Sequence, residues 1–337
     1  MKNNRQNKTF KELNSDQAKA LAEFNCWLNK DSSSCPFVLS GYAGSGKTFL
    51  SVRFLKIVED KKLCWTVAAP THKAVGVLRA ELNSQELRPT WYPSTIHRLL
   101  RLRLRRKGDK EECKETDLTA NSLEKLSLVL IDEASMINSD LLEIILRCSN
   151  SSNTKLVFIG DSAQLPPVGE EISPVFSLKR GNNFQLKSVV RHQGPVLLLA
   201  QGLRDGSVPC VPPPCFPAVH NQKGLVASVD KKVWLEKAKS FLKNASLEDK
   251  PDQARILCYT NRMLEKLVPH ARRAIHGDLA DQLPVLPGEV LITRSAIMAP
   301  ASLEGVENLE EPDMVVGSNC ELIVHDVIPE KCNLLDF

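Results

Sequence analysis

The stretch Phe37-Val-Leu-Ser-Gly-Tyr-Ala-Gly-Ser-Gly-Lys-Thr-Phe-Leu50 constrains this chain more than any other. Phe37 to Leu39 is a short apolar run that reads as a buried strand. Phe49, Leu50, Val52, Phe54 and Leu55 follow at helical spacing. Between them lies G-x-x-x-x-G-K-T, carried by Gly41, Gly44, Gly46, Lys47 and Thr48. Strand, glycine loop and helix in that order make a phosphate-binding loop. Glycines let backbone N–H groups curl around phosphate oxygens without Cβ clashes, and the helix N-terminus adds positive dipole. Gly41, Gly44, Ser45, Gly46, Lys47 and Thr48 are therefore candidate nucleotide contacts. Lys47 is expected to reach the β- and γ-phosphates, and the Thr48 hydroxyl to bind Mg²⁺.

A second strand-end feature narrows the chemistry. Leu128-Val-Leu-Ile-Asp-Glu-Ala-Ser-Met136 is an apolar strand closed by Asp132 and Glu133. In a parallel sheet these carboxylates fall at the edge that carries the phosphate loop. Asp132 is the candidate Mg²⁺ ligand with Thr48, and Glu133 the candidate base for an attacking water. Gln164, in Ile159-Gly-Asp-Ser-Ala-Gln-Leu-Pro-Pro-Val168, ends the next strand and can sense a γ-phosphate.

The rest of the chain fits an α/β architecture. Residues 8–30 have helical spacing, with Ser15 and Asp16 as candidate caps. Cys64–Ala69, Leu126–Ile131 and Leu156–Ile159 read as strands, Thr71–Leu82 and Asp140–Leu146 as helical segments. Strands alternating with helices imply parallel βαβ units and ligands at the strand C-terminal ends. Residues 98–120 form an insertion in which Leu100, Leu102 and Leu104 alternate with Arg101, Arg103 and Arg105, and Gly108-Asp109 signals a turn. A β-hairpin is expected there. Its basic residues are either a solvated face or contacts to a phosphate backbone. Trp91 and Tyr92 either pack or stack on unpaired bases. Farther on, Arg255–Thr260 reads as a strand and Asn261 to about Ile275 as a helix, a second α/β unit. Glu289–Thr293 and Cys320–Val324 read as short strands around an acidic loop, and the proline run of residues 208–217 as an irregular loop.

Taken in order, these motifs resemble superfamily 1 helicases. Gly-Asp-x-x-Gln-Leu-Pro-Pro-Val after Asp-Glu-Ala-Ser looks like motif III. Leu13-Asn-Ser-Asp-Gln17 resembles the Q motif, Ala69-Pro-Thr-His-Lys-Ala74 motif Ia, Ser94-Thr-Ile-His97 motif Ib, and Leu186-Lys-Ser-Val-Val-Arg191 motif IV. Pro-Thr-His with Ser-Thr-Ile-His is similar to the RecD-like and Dda-like branch. The resemblance implies that Gln17 reads an adenine and that Arg191 touches the γ-phosphate. It implies that Thr71, His72, Thr95 and His97 contact single-stranded DNA; the bland reading of the histidines is structural. It implies ATP and Mg²⁺ as cofactors, and single-stranded or fork DNA as partner. The activity implied is ATP-dependent helicase or translocase, five-prime to three-prime, in DNA repair or recombination. The basic hairpin, with Arg101, Arg103 and Arg105, sits where that branch carries its strand-separating pin.

Motifs V and VI of the family are not found. The expected organisation is a RecA-like P-loop NTPase domain over residues 1–185, an incomplete second RecA-like domain over 186–285, and the start of an SH3-like β insertion over 286–337. A separate chain supplying the missing motifs is one expectation. A degenerate or split fragment that binds ATP and single-stranded DNA without efficient turnover is the alternative function. A different P-loop ATPase class is a third reading, against which Gly160 to Val168 and the hairpin argue.

Composition agrees without deciding. The net charge of +4 permits a polyanion partner but does not demand one. The 10 cysteines form no C-x-x-C pair, so reduced thiols are expected rather than a zinc site. No apolar run approaches the ~18 residues of a membrane span. Met1 to Lys11 is polar and basic, unlike a secretory signal. A cytoplasmic protein with no membrane partner is expected.

Overall fold

The computed structural model describes residues 13–30, 35–107, 110–178, 182–188, 194–208, 219–221, 224–250, 253–293, 297–298, 314–316 and 320–328. The chain divides into two compact units, Met1–His192 and Gln193–Phe337.

The first unit begins with α1 (Ser15–Leu28), β1 (Phe37–Gly41), α2 (Lys47–Asp60), β2 (Trp65–Ala69), α3 (His72–Ser84), β3 (Ser94–Thr95) and α4 (Ile96–Leu99). The hairpin β4 (Arg103–Lys107) and β5 (Lys110–Lys114) follows. Then come β6 (Leu128–Ile131), α5 (Ser139–Ser152), β7 (Lys155–Gly160) and β8 (Asn182–Leu186). Six strands form one sheet in the order β3-β2-β6-β7-β1-β8, and every pairing in it is parallel.

The sequence dictates this layering. All residues of β2 and β6 are buried, as parallel strands covered on both faces must be. Alternate residues enter two separate cores. Phe37, Leu39, Trp65, Val67, Leu128, Leu130, Val157 and Ile159 meet α1, α2 and α3 on one face. Val38, Ala68, Val129, Ile131, Leu156 and Phe158 meet α4 and α5 on the other. The densest point of the first core is aromatic. Phe24 stacks on Phe54 at 4.0 Å between ring centres, and Phe37 stands edge-on to both at 5.5 and 5.6 Å.

In this unit two local expectations change and one strand is added. The cap of α1 is Asn14, not Ser15 or Asp16, because Asn14 and Gln17 close a capping box. Residues 98–102 are not strand. Ile96, Leu99 and Leu100 recur at helical spacing and are buried, and Arg101 turns through φ 53°, so the hairpin begins only at Arg103. β8, a polar edge strand, was not read from the sequence; only Phe184 and Leu186 of its five residues pack on the core. The expected Gly108-Asp109 turn lies outside the described residues, as does most of the proline run.

The second unit contains α6 (Pro195–Asp205), α7 (Lys231–Leu247), α8 (Asn261–His276) and α9 (Leu279–Gln282). Its described strands form antiparallel pairs: Val219–Asn221 with Gly224–Val226, Val290–Ile292 with Glu321–Ile323, and Ile297–Met298 with Met314–Val316. The expected helix after Thr260 is present. Arg255–Thr260, read as a strand, pairs with no other strand among the described residues, and Leu257 and Tyr259 are 92% and 98% exposed. A strand without a neighbour has no ladder to stabilise it. The turn after α8 is instead organised by Arg272, which binds Glu289 at 2.6 Å and the carbonyls of Ala280 and Leu283. Among the described residues no helix is long and apolar enough to cross a membrane.

Phe24 is fully buried between Phe54, Phe37 and Trp27. Phe24→Ala is expected to lower the unfolding free energy by about 3–5 kcal/mol, measured by denaturant titration. A loss below about 1 kcal/mol would contradict the placement of the core.

Candidate active site

The loop after β1 is shaped by contacts that only glycine allows. A Cβ on Gly41 would lie 2.7 Å from Ser45 Oγ and 2.9 Å from Leu186 Cβ. Gly46 takes φ +88°, and a Cβ there would lie 2.5 Å from Gln17 Nε2. No side chain caps α2 at Gly46, so the first-turn N–H groups stay available to an anion. Lys47 Nζ donates to the carbonyls of Gly41 at 2.8 Å and Tyr42 at 3.1 Å, which seats it over the loop.

The sheet order brings the other candidates to this loop. β7 lies between β1 and β6, so the residues after β6 and β7 face the loop after β1. Lys47, Thr48, Asp132, Glu133 and Gln164 line one cleft with the loop, with room for about 200 Å³. Gly160 ends β7 against the backbone N atoms of Ala134 and Ser135, where a Cβ would meet them at 3.1 and 3.2 Å. The turn bearing Glu133 therefore sits close against β7. Glu133 itself adopts φ 55°, a left-handed conformation that costs a non-glycine residue roughly 1–3 kcal/mol and clusters at functional sites.

Burial raises the pKa of Asp132 to about 6. The hydrogen bond from Glu133 N–H, at 2.8 Å, opposes the shift; the charge of Glu133 adds to it, and Lys47 counters it. Thr48 and Asp132 suit Mg²⁺ by chemistry. Both offer hard oxygen donors, and Mg²⁺ takes few protein ligands and fills its shell with water and phosphate. Among the described residues there is no cluster of three carboxylate, histidine or cysteine ligands.

Gln17 is a support of the loop, which sequence reasoning missed. It is 4% exposed. Its Nε2 donates to the Ser45 carbonyl at 3.1 Å, and its Oε1 accepts from Asn14 N at 3.2 Å. The pattern Asn14-x-x-Gln17 was the available signal. For this amide to reach an adenine it would have to leave both partners.

Thr71, His72, Thr95 and His97 cluster at the ends of β2 and β3, where Ala69 and Thr95 are in register. Both threonine hydroxyls are helix caps. Thr71 accepts from Ala74 N at 3.2 Å, and Thr95, 7% exposed, from Arg98 N at 3.3 Å. The pKa of His72 is lowered by burial, then by the charges of Arg79 and Arg98. His97 is half-buried. Arg101 and Arg103 are exposed at the foot of the hairpin. Arg105 stands opposite Glu112, and Arg106 opposite Glu111, so the strand register sets acids against the basic run. The Arg105 side chain and all of Arg191 lie outside the described residues. Trp91 packs on the core, whereas Tyr92 is 75% exposed.

The cleft holds a carboxylate at a cost, which a substitution exposes. The folded pKa of Asp132 lies above the 3.8 of an ordinary aspartate, so its ionisation destabilises the fold as pH rises through that interval. In metal-free buffer at pH 8, Asp132→Asn is expected to raise stability by roughly 2–3 kcal/mol. The gain should vanish near pH 4. Thermal melts at both pH values check this; a lower melting temperature at pH 8 contradicts it.

Comparison with known proteins finds a family and several partial relatives. The AAA domain family matches residues 12–215, more than half of the chain. An uncharacterized protein of Acanthamoeba polyphaga mimivirus is 34% identical over 171 residues, covering 46% of this chain and 33% of that protein. The ATP-dependent DNA helicase Pif1 of Campylobacter jejuni is 32% identical over 136 residues, covering 40% of this chain and 29% of that protein. The RecBCD enzyme subunit RecD of Buchnera aphidicola (Schizaphis graminum) is 31% identical over 144 residues, covering 39% and 23%. The chain thus spans a third or less of the length of these relatives. Among solved structures, Bacteroides sp Pif1 in complex with ADP-AlF4 is 20% identical with a TM-score of 0.45, over 87% of this chain and 61% of that one. The Candida albicans Pif1 helicase is 18% identical with a TM-score of 0.43, over 86% and 59%. The chain belongs to the AAA domain family.

Proposed function

We propose that this chain binds ATP with Mg²⁺ in the cleft and couples ATP hydrolysis to five-prime to three-prime movement on single-stranded DNA. The observation that carries the reading is the convergence of Lys47, Thr48, Asp132, Glu133 and Gln164 on one cleft at the edge of one sheet. The relatives named as ATP-dependent helicase and RecD subunit support it.

In this reading the first-turn N–H groups of α2 and the Lys47 ammonium hold the β- and γ-phosphates. Lys47 gives up the Gly41 and Tyr42 carbonyls to do so. Thr48 and Asp132 hold Mg²⁺, which neutralises phosphate charge when bound. Glu133 accepts a proton from water as the water oxygen bonds to the γ-phosphorus and the bond to the β-bridging oxygen breaks, leaving ADP and phosphate. Gln164 touches the γ-phosphate or the water and transmits its loss along β7. Arg191 supplies positive charge to the γ-phosphate. The ends of β2 and β3, with Thr71, His72, Thr95 and His97, contact the strand. The basic run with Arg101, Arg103 and Arg105 contacts the duplex of a fork.

Steady-state ATP hydrolysis with and without a single-stranded oligonucleotide tests the reading. Single strand is expected to raise the rate tenfold or more, and Lys47→Ala to lower it by roughly 10²–10³. Equal rates for both proteins, or indifference to the strand, would sink it. ATP binding without turnover would favour the non-motor alternative. Gln17→Ala is expected to weaken ATP and GTP binding alike, because it releases the loop. Selective loss of ATP would show that the amide turns to the base.

A further inference from the structure

The loop before β3 presents an aromatic ring that the fold leaves largely exposed. Tyr92 is 75% exposed, while its neighbours are held fast. Thr90 exchanges hydrogen bonds with Trp65 of β2, its N donating at 2.8 Å and its hydroxyl accepting at 3.1 Å. The Trp91 carbonyl accepts from Thr66 Oγ1 at 2.8 Å. The Pro93 carbonyl accepts two bonds from the Arg79 guanidinium, at 3.1 and 2.6 Å. The same guanidinium lies 4.2 Å from the centre of the Tyr92 ring. One face of the ring is therefore backed by a cation that hydrogen bonds hold in place. A ring so exposed adds little burial energy to the fold, since that energy scales with apolar area removed from water.

Its position matters as much as its exposure. Arg79 reaches from α3 to this loop and lies close enough to His72 to depress its pKa. Tyr92 also stands three residues before Thr95 in the chain. The ring thus belongs to the cluster at the ends of β2 and β3. A flat, rigid, cation-backed ring beside candidate phosphate contacts is suited to the π-face of an unpaired base.

We propose that Tyr92, oriented by Arg79, is a stacking platform for one unpaired base of the strand that the chain tracks. The inference rests on the strand-binding reading above and adds a base contact to it. Arg79 is the positioning residue. Stacking is indifferent to base identity, so the platform serves a motor that must pass every sequence.

Fluorescence anisotropy of a labelled oligothymidylate, titrated with the full chain without nucleotide, tests the platform. Tyr92→Ala is expected to weaken binding roughly 5- to 150-fold, the range of one lost base stack. The dependence of affinity on salt should keep its slope, because no phosphate contact is lost. Tyr92→Phe should bind within about twofold of wild type, since the ring and not the hydroxyl does the stacking. Wild-type affinity in Tyr92→Ala overturns the platform and leaves strand binding intact. Phenylalanine failing to rescue, or a flattened salt slope, overturns it too. If the wild-type chain binds no single strand, the strand-binding reading and the platform fall together.

Discussion

The close approach of α1, β8 and the glycine loop is the constraint on which the site depends. Gly41 leaves room for Ser45 and Leu186, and Gly46 leaves room for the Gln17 amide. These contacts fix the loop before any phosphate arrives. They tie it to α1 through the Ser45 carbonyl and to the sheet edge through Leu186, which pairs in register with Gly41. A loop held this way loses less entropy on binding than a mobile one, which is the physical content of preorganisation. The buried Ser45 hydroxyl makes no hydrogen bond of its own, so the packing and not that hydroxyl sets the loop.

The same region carries unfavourable features that the rest of the fold must hold in place. Asp132 keeps a carboxylate where burial opposes its charge, and Glu133 occupies a left-handed backbone conformation. Two cores, one on each face of the sheet, supply the rigidity that sustains them. β6 and β7 are the elements that position the site. Their buried residues leave no freedom at the strand ends, so Asp132, Glu133 and Gln164 stand where the sheet sets them. Sites of this kind trade stability for function.

Much of this was legible in the sequence, for a reason tied to burial. Leu128–Ile131 and Leu156–Ile159 are apolar throughout because both sheet faces are covered, so each strand and its polar terminus stand out. The glycine loop is legible because each glycine answers a steric demand. The failures have physical causes as well. Asn182–Leu186 is an edge strand with one apolar face, too polar to signal itself. Leu100 alternates with arginines yet packs at helical spacing, because Thr95 caps a short helix just before it. Glu111 and Glu112 follow the basic run in the chain, and only the strand register shows that they stand across from Arg106 and Arg105. Trp91 and Tyr92 are adjacent in sequence and opposite in fate, which only the fold around Arg79 decides. In the second unit the helix after Thr260 is legible from its cap and spacing, whereas a strand depends on a neighbour that local sequence does not specify.

The central claim is that the glycine loop and the two strand-end carboxylates form one nucleotide site. Calorimetric titration of ATP into the intact chain, with and without Mg²⁺, tests it most directly. The account predicts a single saturable site per chain whose affinity rises when Mg²⁺ is present, because Thr48 and Asp132 would hold the ion and its charge would offset that of the phosphates. Absence of saturable binding at millimolar ATP, or binding indifferent to Mg²⁺, would contradict it.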